Sequence, residues 1–488
     1  MNRMPEKWDM ESDVVVIGYG AAGSVAAMTA HDHGASVLLL EKMPEGGGNS
    51  RVCGGNIIVP QSIDFAKYLK TLSFGTTQPE IIDQFVEQAM KNGEWIKEMG
   101  GDISVFTPLR VAYPSTVAKA SFPQVPGSDQ MVKYNLKGTE ADGPPAERLF
   151  KFLSSNVERR GIKILVRTPA RELFRNEKGE IVGVMAEREG KKISIKAKKA
   201  VILTCGGFEH DEALKWDNLP PKPVYAHGNP GNTGDGLKMA QKIGAALWHM
   251  TSLSCTIGFK TPEYESSFHI SFLSPAFVFI DKHGQRFADE TGVEVHEFWR
   301  MFSLFDTHRI EFPRIPLYAL FGEEARKRGP LSSGTSGYNR LLYKWSLDNS
   351  QEIVKGWILK AQSVAELAGR IAMDPSVLES TFQKYNESCK AGKDTDFGRV
   401  KEKLRAIEGP PYYAIQLWPC LLNTQGGPKR DGESRVLDPD SQPIPRLYAA
   451  GELGSIWGYL YQGANNIGEC IVFGKIAGQN AAAEKPWL

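Results

Sequence analysis

Three glycines near the amino terminus have the spacing of a phosphate-binding turn. Gly18, Gly20 and Gly23 form the pattern GxGxxG, with Ala21 and Ala22 between the second and the third. The first glycine permits a tight turn, the second lets a pyrophosphate approach the backbone, and the third allows a helix to pack closely on a strand. This spacing predicts that the chain binds a dinucleotide.

The flanking segments are suited to position that turn. Residues 13–17 are a β-branched run typical of a strand buried on both faces, and residues 24–33 are alanine-rich and helical in character. The amino terminus of the helix would hold the phosphate. A second predicted strand, residues 36–40, is followed directly by Glu41 and Lys42. We expect the Glu41 carboxylate to accept hydrogen bonds from the adenosine ribose.

Further glycine-rich segments predict that the ligand is long. Residues 44–55 form a loop whose backbone N–H groups can face a polar ligand, and comparable short segments lie at residues 168–170, 200–207, 233–236 and 447–452. A ligand that contacts segments so far apart in the chain must be extended. The residues that we expect at this site are Gly48, Asn49, Ser50, Gly54, Gly55, Ala170, Thr204, Gly206, Gly207, Thr233, Gly234, Asp235, Gly451 and Glu452.

The composition argues against several other classes of function. Lys and Arg number 58 against 57 Asp and Glu, and the net charge of +1 removes the electrostatic case for a nucleic-acid or anionic-membrane partner. No apolar run approaches membrane-spanning length and the first residues lack a secretory signal, so we expect a cytoplasmic protein that acts on a small molecule. The six cysteines are scattered without a CxxC pair, which predicts free thiols and neither a metal site nor a haem.

The ordered set of motifs carries a family resemblance. Along the chain these are GYGAAG, the strand ending at Glu41, GGGNS, TCGG, TGDG, GQRF followed by DE, NTQGG, YAAGE and GANNIGECIVFGKIAG. Together they resemble the flavoprotein family of fumarate reductases, succinate dehydrogenases and 3-ketosteroid dehydrogenases over nearly the whole chain. The resemblance implies an α/β fold, in which a Rossmann-like FAD-binding domain is interrupted by an inserted α+β capping domain.

The same resemblance implies the domain boundaries and the cofactor. It places the FAD-binding domain at residues 1–250 and 416–488 and the cap at residues 251–415. Within the cap, residues 363–386 have apolar positions at the spacing of one amphipathic helix. In relatives with covalent flavin, a histidine near the GGxxS loop forms the bond. Because residues 46–55 contain no histidine, FAD is expected to bind non-covalently.

The carboxy-terminal glycine-rich turn holds the first catalytic candidate. The resemblance aims the helix that follows the turn at the flavin pyrimidine ring, with the backbone of Asn465 and Ile467 as candidate contacts and Asn466 between them also expected at the cofactor. Fumarate reductases carry an arginine two residues before this turn, whereas 3-ketosteroid dehydrogenases carry a tyrosine, as this chain does at Tyr461. We expect Tyr461 to donate to a substrate carbonyl, aided by the N–H of Asn465.

A second catalytic candidate lies in the cap. The catalytic arginine of fumarate reductases and the catalytic tyrosine of ketosteroid dehydrogenases both fall near Glu294. Glu294 can serve as the acid or base beside the carbonyl if burial raises its pKa toward neutrality; the alternative is a solvated loop charge. His296 and Arg300 are further candidates in the same stretch. The fumarate-reductase histidine is also absent beside Asn423, which argues against a dicarboxylate substrate.

These residues predict an FAD-dependent oxidoreductase of a CH–CH bond next to a carbonyl. A ketone dehydrogenase or enone reductase with a cyclic or steroid-like substrate is favoured, with hydride at the β carbon and a proton at the α carbon. Two alternatives stay open: a reductase of an unsaturated carboxylate bound by Arg300 or Arg286, and a flavoprotein subunit of an electron-transfer complex. The electron donor or acceptor and the oligomeric state are not predicted. Aromatic residues that could line an apolar cavity are Phe268, Phe272, Phe277, Trp299, Trp457 and Tyr459.

Overall fold

The computed structural model describes residues 4–107 and 120–487. The strands in chain order are β1 Met10–Ile17, β2 Val37–Leu40, β3 Ile57–Pro60, β4 Ile103–Val105, β5 Met131–Leu136, β6 Lys163–Leu165, β7 Ala170–Arg175, β8 Ile181–Arg188, β9 Lys191–Leu203, β10 Tyr225–Ala226, β11 Leu247–Trp248, β12 Leu253–Phe259, β13 Phe268–His269, β14 Phe277–Ile280, β15 Leu317–Gly322, β16 Leu359–Ala361, β17 Tyr412–Thr424, β18 Gly427–Pro428, β19 Arg435–Leu437 and β20 Pro443–Ala449.

The helices lie between these strands and after them. In chain order they are α1 Ala21–Asp32, α2 Phe65–Ser73, α3 Pro79–Ala89, α4 Asn92–Glu98, α5 Pro145–Arg159, α6 Glu212–Asn218, α7 Asp235–Lys242, α8 Trp299–Phe302, α9 Glu323–Arg328, α10 Ser350–Val354, α11 Val364–Arg370, α12 Pro375–Ala391 and α13 Asn465–Ala483. Short 3₁₀ turns occur at Gly48–Arg51, Glu140–Asp142, Val295–Glu297, Tyr338–Leu341 and Lys401–Lys403.

A mostly parallel sheet forms the first layer. Its strand order is β19-β20-β9-β1-β2-β6, and β1 pairs in parallel with both β2 and β9. The β-branched run Val14, Val15 and Val16 is fully buried, as expected where helices cover both faces of a parallel sheet. Because β1, β2 and β9 run in the same direction, their carboxyl ends meet at one edge of the sheet, and the glycine turn lies there.

Helices α1 and α13 pack against one another beside this sheet. Small residues permit the close approach: a Cβ on Gly478 of α13 would lie 2.5 Å from the carbonyl oxygen of Ala26 in α1. The amino termini of these two helices are thereby held near the same edge of the sheet. One end of α1 and one end of α13 are available to the same ligand.

A second, largely antiparallel sheet carries the cap region. Its strand order is β13-β12-β17-β15-β14, and β10 and β16 also pair with β17. The predicted boundary between residues 415 and 416 lies inside β17, and β10 lies before the predicted start of the cap. A further small sheet, β3-β5-β4, contacts the glycine-rich loop, where Asn135 of β5 donates to the carbonyl oxygen of Gly55 at 2.9 Å. We refer to this three-stranded sheet as the flap.

Local expectations differ from the structure at element ends and at one helix. α1 begins at Ala21 rather than residue 24, and α13 begins at Asn465. The single helix expected at residues 363–386 is wrong, because α11 ends at Arg370 and α12 begins at Pro375. Proline is favoured in the first turn of a helix but would interrupt a continuous one, and the Asp374 side chain caps α12 by accepting the N–H of Ser376.

The six cysteines are free thiols. Among residues 4–107 and 120–487, no helix is long and apolar enough to cross a membrane. Within the same ranges, no cluster of three His, Cys, Asp or Glu side chains has the arrangement of a metal site.

Candidate functional site

A cavity of about 990 Å³ lies between the glycine turn, the flap and the cap. Most residues expected at the dinucleotide site line it, although they come from segments far apart in the chain. Those that line the cavity are Gly18, Gly20, Ala21, Ala22, Glu41, Lys42, Gly48, Asn49, Ser50, Gly54, Gly55, Ala170, Thr204, Gly206, Asp235, Glu452, Asn466 and Ile467. The extended shape expected of the ligand therefore corresponds to one continuous space.

The three glycines of the turn differ in what surrounds them. Gly18 has φ +107°, and a Cβ there would lie 2.3 Å from the carbonyl oxygen of Thr204. A Cβ on Gly23 would lie 1.9 Å from the carbonyl oxygen of Gly18. In contrast, a Cβ on Gly20 would meet nothing closer than the Ser50 hydroxyl, at 3.5 Å. The outer glycines thus serve the tight turn and the helix packing, while Gly20 leaves open space toward the cavity.

Glu41 and Lys42 hold the next part of the cavity wall. The Glu41 carboxylate accepts the N–H of Tyr19 at 2.9 Å and that of Met43 at 2.8 Å. Burial raises the pKa of Glu41, and these two hydrogen bonds oppose the shift. The Lys42 ammonium donates to Asp235 at 2.6 Å, so it is neutralised inside the protein. A carboxylate held by the backbone in this way has lone pairs left for ribose hydroxyls.

Six expected cofactor residues do not line the cavity. Gly23 and Gly451 pack against backbone and side-chain atoms of the interior. The Thr233 hydroxyl accepts a hydrogen bond from the Lys42 ammonium instead of facing the cavity. Gly234 is the residue before α7. A Cβ on Gly207 would meet Thr424, Glu452 and Glu209 side chains, and Asn465 is fully buried behind the wall. The sequence pattern located the loops but did not distinguish residues that face the ligand from residues that support the turn.

Two carboxyl groups, Glu209 and Glu452, are buried together under the glycine-rich loop. Asn49 donates through its Nδ2 to both, at 2.9 Å to Glu209 and 3.1 Å to Glu452. Burial and the neighbouring Glu209 carboxyl raise the pKa of Glu452 well above its usual range. Asn232 donates to Glu209 at 3.3 Å. This arrangement is stable when the pair keeps a proton, because two adjacent buried carboxylates repel one another.

The hydroxyl of Tyr461 lies at the start of α13. It accepts the N–H groups of Asn465 and Asn466, each at 3.1 Å. Burial raises the pKa of Tyr461, although these two N–H donors oppose the shift. The expectation that the N–H of Asn465 is directed at a substrate carbonyl is wrong for this structure, because the Tyr461 oxygen already takes it. The tyrosine proton remains available to an acceptor in the cavity.

Glu294 and His296 are joined to one another on the cavity wall. One Glu294 carboxylate oxygen accepts the N–H of His296 at 2.7 Å, and the other lies 2.8 Å from Nδ1 of the His296 ring. The Glu294 side chain is only 12% exposed, so it is not a solvated loop charge. Burial alone would raise the pKa of Glu294, but the His296 ring and the hydrogen bonds lower it below its usual range. The condition given for Glu294 to act as the acid or base, a pKa raised toward neutrality by burial, is therefore not met.

The His296 ring also faces Tyr461. The two rings meet edge to face with centroids 5.2 Å apart, and a Cβ on Gly463 would lie 2.3 Å from Cε1 of His296. The absence of a side chain at Gly463 lets the histidine approach the turn before α13. Tyr461, from the turn before α13, thus forms one cluster on the cavity wall with Glu294 and His296 of the cap.

Arg300 and Arg286 do not line the cavity, contrary to the expectation that one of them binds a substrate carboxylate. Arg300 donates to Glu297 at 2.8 Å and to the carbonyl oxygen of Tyr459 at 3.1 Å. Arg286 is held by Glu290 and Asp394, and its side chain is 5% exposed. Both guanidinium groups are already neutralised, which leaves them without a free donor face toward a substrate.

The aromatic residues expected to line an apolar pocket also lie elsewhere. None of them is part of the cavity wall, and all but one are buried in the hydrophobic cores. Phe272 and Phe277, for example, stack on one another with centroids 4.3 Å apart. Tyr459 is 43% exposed. These side chains stabilise the fold rather than contact a ligand.

Several polar groups on the cavity wall were missed by the sequence analysis. Lys133 and Asn135 face the cavity from β5, and His227, His269 and Ser254 face it from the cap region. Burial lowers the pKa of His227 to about 4 and that of His269 to about 3. The one available signal was the lysine and asparagine two residues apart in an otherwise apolar strand, since alternate residues of a strand share a face.

Some of these polar atoms have no partner among the described residues. They are Nε2 of His269, the hydroxyl of Ser254 and Oδ1 of Asn466, all buried at the cavity wall. Buried polar atoms are seldom left without a hydrogen bond in native proteins. The cavity is therefore suited to a ligand rich in polar atoms, with a backbone that approaches closely at Gly20.

Comparison with known proteins identifies the family. The chain matches the family described as FAD binding domain over residues 13–468. The NADH:fumarate oxidoreductase of Klebsiella pneumoniae (strain 342) is 28% identical over 96% of this chain, which spans 47% of that relative's length. The 3-oxosteroid 1-dehydrogenase of Mycobacterium tuberculosis (strain H37Rv) is 26% identical over 97% of this chain and 98% of that relative.

Solved structures share the fold. A 3-ketosteroid Δ1-dehydrogenase from Sterolibacterium denitrificans has a TM-score of 0.82 at 22% identity, with 97% of this chain and 99% of the other covered. A flavocytochrome c3 fumarate reductase in its open conformation has a TM-score of 0.74 at 23% identity, covering 97% of this chain and 78% of the other. These similarities confirm the predicted α/β class with an FAD-binding domain, and the prediction of an FAD-dependent oxidoreductase is confirmed by the family and its relatives. The chain belongs to the FAD binding domain family.

Proposed function

We propose that this protein binds FAD non-covalently and oxidises or reduces a CH–CH bond next to a carbonyl group. The favoured substrate is a small cyclic or steroid-like ketone or enone. The observation that carries the proposal is the Tyr461 hydroxyl, held by two N–H donors at the start of α13 and bordering the cavity. Relatives of this chain include 3-oxosteroid 1-dehydrogenases and a digoxin reductase, which supports this class of reaction.

The residues on the cavity wall fit FAD along its length. The open space at Gly20 and the amino terminus of α1 suit the pyrophosphate, and Glu41 suits the ribose. The backbone N–H of Ile467 and the side chain of Asn466, whose own N–H is bonded to Tyr461, suit the pyrimidine edge of the flavin, where the helix dipole favours negative charge. Bound FAD would supply the hydride acceptor or donor for the substrate carbon.

Tyr461 is proposed to polarise the substrate carbonyl. Both N–H groups that it accepts withdraw electron density from its oxygen, so its own proton becomes a better donor. A donor directed at the carbonyl oxygen stabilises the negative charge that develops there when the β carbon exchanges hydride. Tyr461 would act in both directions of the reaction, because the same charge develops in each.

His296 is proposed to move the proton at the α carbon, with Glu294 as its positioning residue. When Nδ1–H is donated to the Glu294 carboxylate, the lone pair lies on Nε2, which has no partner among the described residues. A carboxylate with a lowered pKa stays charged and keeps the ring in this tautomer. Arg300 would contribute indirectly through Glu297, which accepts the backbone N–H of Tyr461 at 2.9 Å.

Non-covalent attachment is supported by the groups near the proposed flavin. The 3₁₀ turn Gly48–Arg51 contains no histidine, and burial raises the pKa of the Cys53 thiol, which lines the cavity, so a thiolate is disfavoured there. Acid precipitation is expected to release all of the yellow colour into the supernatant. Colour that stays with the precipitated polypeptide would contradict non-covalent binding.

The division into domains remains part of the proposal. Residues 1–250 and 416–488 would form the FAD-binding domain, and residues 251–415 the cap. The backbone pairing of β10 with β17 joins the two parts, so a test by separate expression would have to keep both strands. A cytoplasmic location is also proposed, supported by six free cysteines, and cell fractionation tests it.

Anaerobic reoxidation tests the function directly. The yellow protein is photoreduced and mixed with a panel of cyclic enones, steroid enones and unsaturated acids, and the return of oxidised-flavin absorbance is followed. Rapid reoxidation by enones is expected. Reoxidation by unsaturated acids alone would favour a carboxylate reductase, and a folded protein that takes up no flavin would refute the proposal altogether.

A further inference from the structure

The flap contributes a cationic group that the proposed mechanism does not use. Lys133 lies in the middle of β5, and it lines the cavity together with Asn135. Val132 and Tyr134, the neighbours in the strand, do not line the cavity. This alternation is what a strand with one face toward the cavity requires, so the Lys133 side chain points to the substrate space.

The Lys133 ammonium has no hydrogen-bond or ion-pair partner among residues 4–107 and 120–487. Burial lowers the pKa of Lys133 to about 8, and the nearby Glu294 carboxylate opposes the shift. Glu294 itself is already bonded to His296 through both carboxylate oxygens. An unpaired, half-buried ammonium is costly to keep, and an anionic ligand would stabilise it.

The other cationic side chains near the cavity already have partners and are less suited than Lys133 to bind an anionic ligand. Arg300 and Arg286 lie outside the cavity wall and are paired with acidic side chains, and Lys42 is paired with Asp235. Arg148 lines the cavity, but its guanidinium donates to the carbonyl oxygens of Leu136 and Gly143. Among the described residues on the wall, Lys133 thus presents an ammonium that is free to bind.

We propose that Lys133 binds a carboxylate of the substrate, so that the substrate class is a carbonyl compound that also carries an acidic group. This inference rests on the proposed function and specifies its substrate. Lys133 on the flap and Tyr461 in the turn before α13 would bind the two oxygen-bearing ends, the carboxylate and the carbonyl. The reacting carbons would lie between these ends, next to His296.

A matched pair of probe substrates tests the inference. The probes are a cyclohexenone that carries a carboxylate and the methyl ester of the same compound. For the natural sequence we expect a KM at least about tenfold lower for the carboxylate than for the ester, since a hydrogen bond to a charged group has this order of strength. In Lys133→Met the ratio of the two KM values should approach one, and Lys133→Arg should restore part of it.

Lys137→Met is the matched control. Lys137 directly follows β5, but its ammonium is exposed and paired with Asp102. The control should keep the KM ratio of the natural sequence. FAD content and the unfolding midpoint of each variant show whether it folds. A KM ratio that is unchanged in Lys133→Met, or a natural protein without preference for the carboxylate, would overturn the inference.

Failure of the proposed function is distinguishable from failure of this inference. If neither probe reoxidises the reduced flavin, the reaction is wrong, and binding is then measured from the perturbation of the oxidised-flavin spectrum by the two probes. Tighter binding of the carboxylate that is lost in Lys133→Met would still support the role of Lys133. Equal binding of both probes would refute it.

Discussion

Replacement of Tyr461 by phenylalanine removes one oxygen atom at the centre of the proposed site. The hydroxyl accepts two N–H groups at 3.1 Å and leaves its own proton for the substrate. Loss of a donor to a developing oxyanion lowers the rate by a factor of about 10² to 10³, or roughly 2.7–4 kcal/mol of transition-state stabilisation. We expect Tyr461→Phe to reoxidise more slowly by that factor with any enone that the natural protein reduces.

The same substitution has a structural cost that must be separated from the kinetic one. A buried amide N–H without an acceptor costs about 1–3 kcal/mol. Because Tyr461 borders the cavity, water can replace the hydroxyl as an acceptor, so the loss of stability for the two amides should lie near the lower end. The variant is therefore expected to fold and to keep its flavin spectrum.

Stopped-flow reoxidation under anaerobic conditions measures the rate, and thermal unfolding measures the stability. Tyr459→Phe is the control, since Tyr459 lies two residues away, is 43% exposed and packs on Phe74 with centroids 4.6 Å apart. It loses the same atom outside the cavity wall and should react at the natural rate. A rate for Tyr461→Phe within about threefold of the control, far below the expected loss, would refute the role of the hydroxyl.

Three further substitutions test other parts of the site. Gly20→Ala should fold but bind FAD at least about tenfold more weakly, because its Cβ enters the space left for the pyrophosphate. Equilibrium dialysis measures the FAD affinity. Because the pKa of Glu452 is raised in the folded state, the stability of the protein falls as the pH rises above about 4.3. Glu209→Gln removes the acidic neighbour, so the unfolding midpoint of this variant should fall less over the same pH range. A lowered pKa of Glu294 contributes stability that is fully present above about pH 4.3 and is lost as the pH falls through the folded-state pKa. Glu294→Gln should therefore lower the unfolding midpoint at pH 7, by an amount that shrinks as the pH falls below about 4.3, and slow reoxidation through misplacement of His296.

Controls for these substitutions lie on exposed surfaces. A Cβ on Gly369 in α11 meets nothing within 4 Å, so Gly369→Ala should bind FAD normally. Glu379 is exposed on α12, and Glu379→Gln should leave the pH dependence of stability unchanged. Normal FAD affinity in Gly20→Ala would remove that glycine from the pyrophosphate site. Parallel pH profiles for a variant and the natural protein would contradict the corresponding carboxylate assignment.

The sequence predicted the parts of the fold that depend on local pattern. The glycine spacing, the β-branched run of β1 and the helix after the turn lie within a few residues of one another, so the pattern is readable locally, although contacts behind it, such as that of Gly18 with Thr204, are not local. The apolar spacing on both sides of Pro375 predicts one continuous helix, so the break between α11 and α12 was not predicted although the proline is present in the sequence. Proline at a first helical turn is a stronger signal than that spacing.

The site was less predictable, because its electrostatics depend on contacts between distant elements. The role of Glu294 stays a prediction, and the condition attached to it, a pKa raised by burial, is not met, because the ring of His296 and the hydrogen bonds outweigh the effect of burial. Arg300 was expected to bind a substrate carboxylate, yet its guanidinium donates to the Glu297 carboxylate. Lys133 alternates with Asn135, but the strand alone does not indicate that the face they share meets the cavity, so a role for Lys133 could not be predicted.

The cap and the glycine-rich loop are also held together directly, which bears on how the site keeps its geometry. Gly337 of the cap donates its N–H to the carbonyl oxygen of Val52 at 2.7 Å, and Arg340 binds both Glu147 and the carbonyl oxygen of Arg51. These contacts fix the cap to the loop that follows the first two strands. Glu297 of the cap also accepts the backbone N–H of Tyr461. A change in the cap, in the glycine-rich loop or in the turn that carries Tyr461 would therefore alter the distance between Tyr461 and His296. On the proposed assignment, the flap would contribute Lys133 to substrate binding but no member of the cluster of Tyr461, Glu294 and His296, so a substitution there should change substrate preference while the contacts within that cluster are retained.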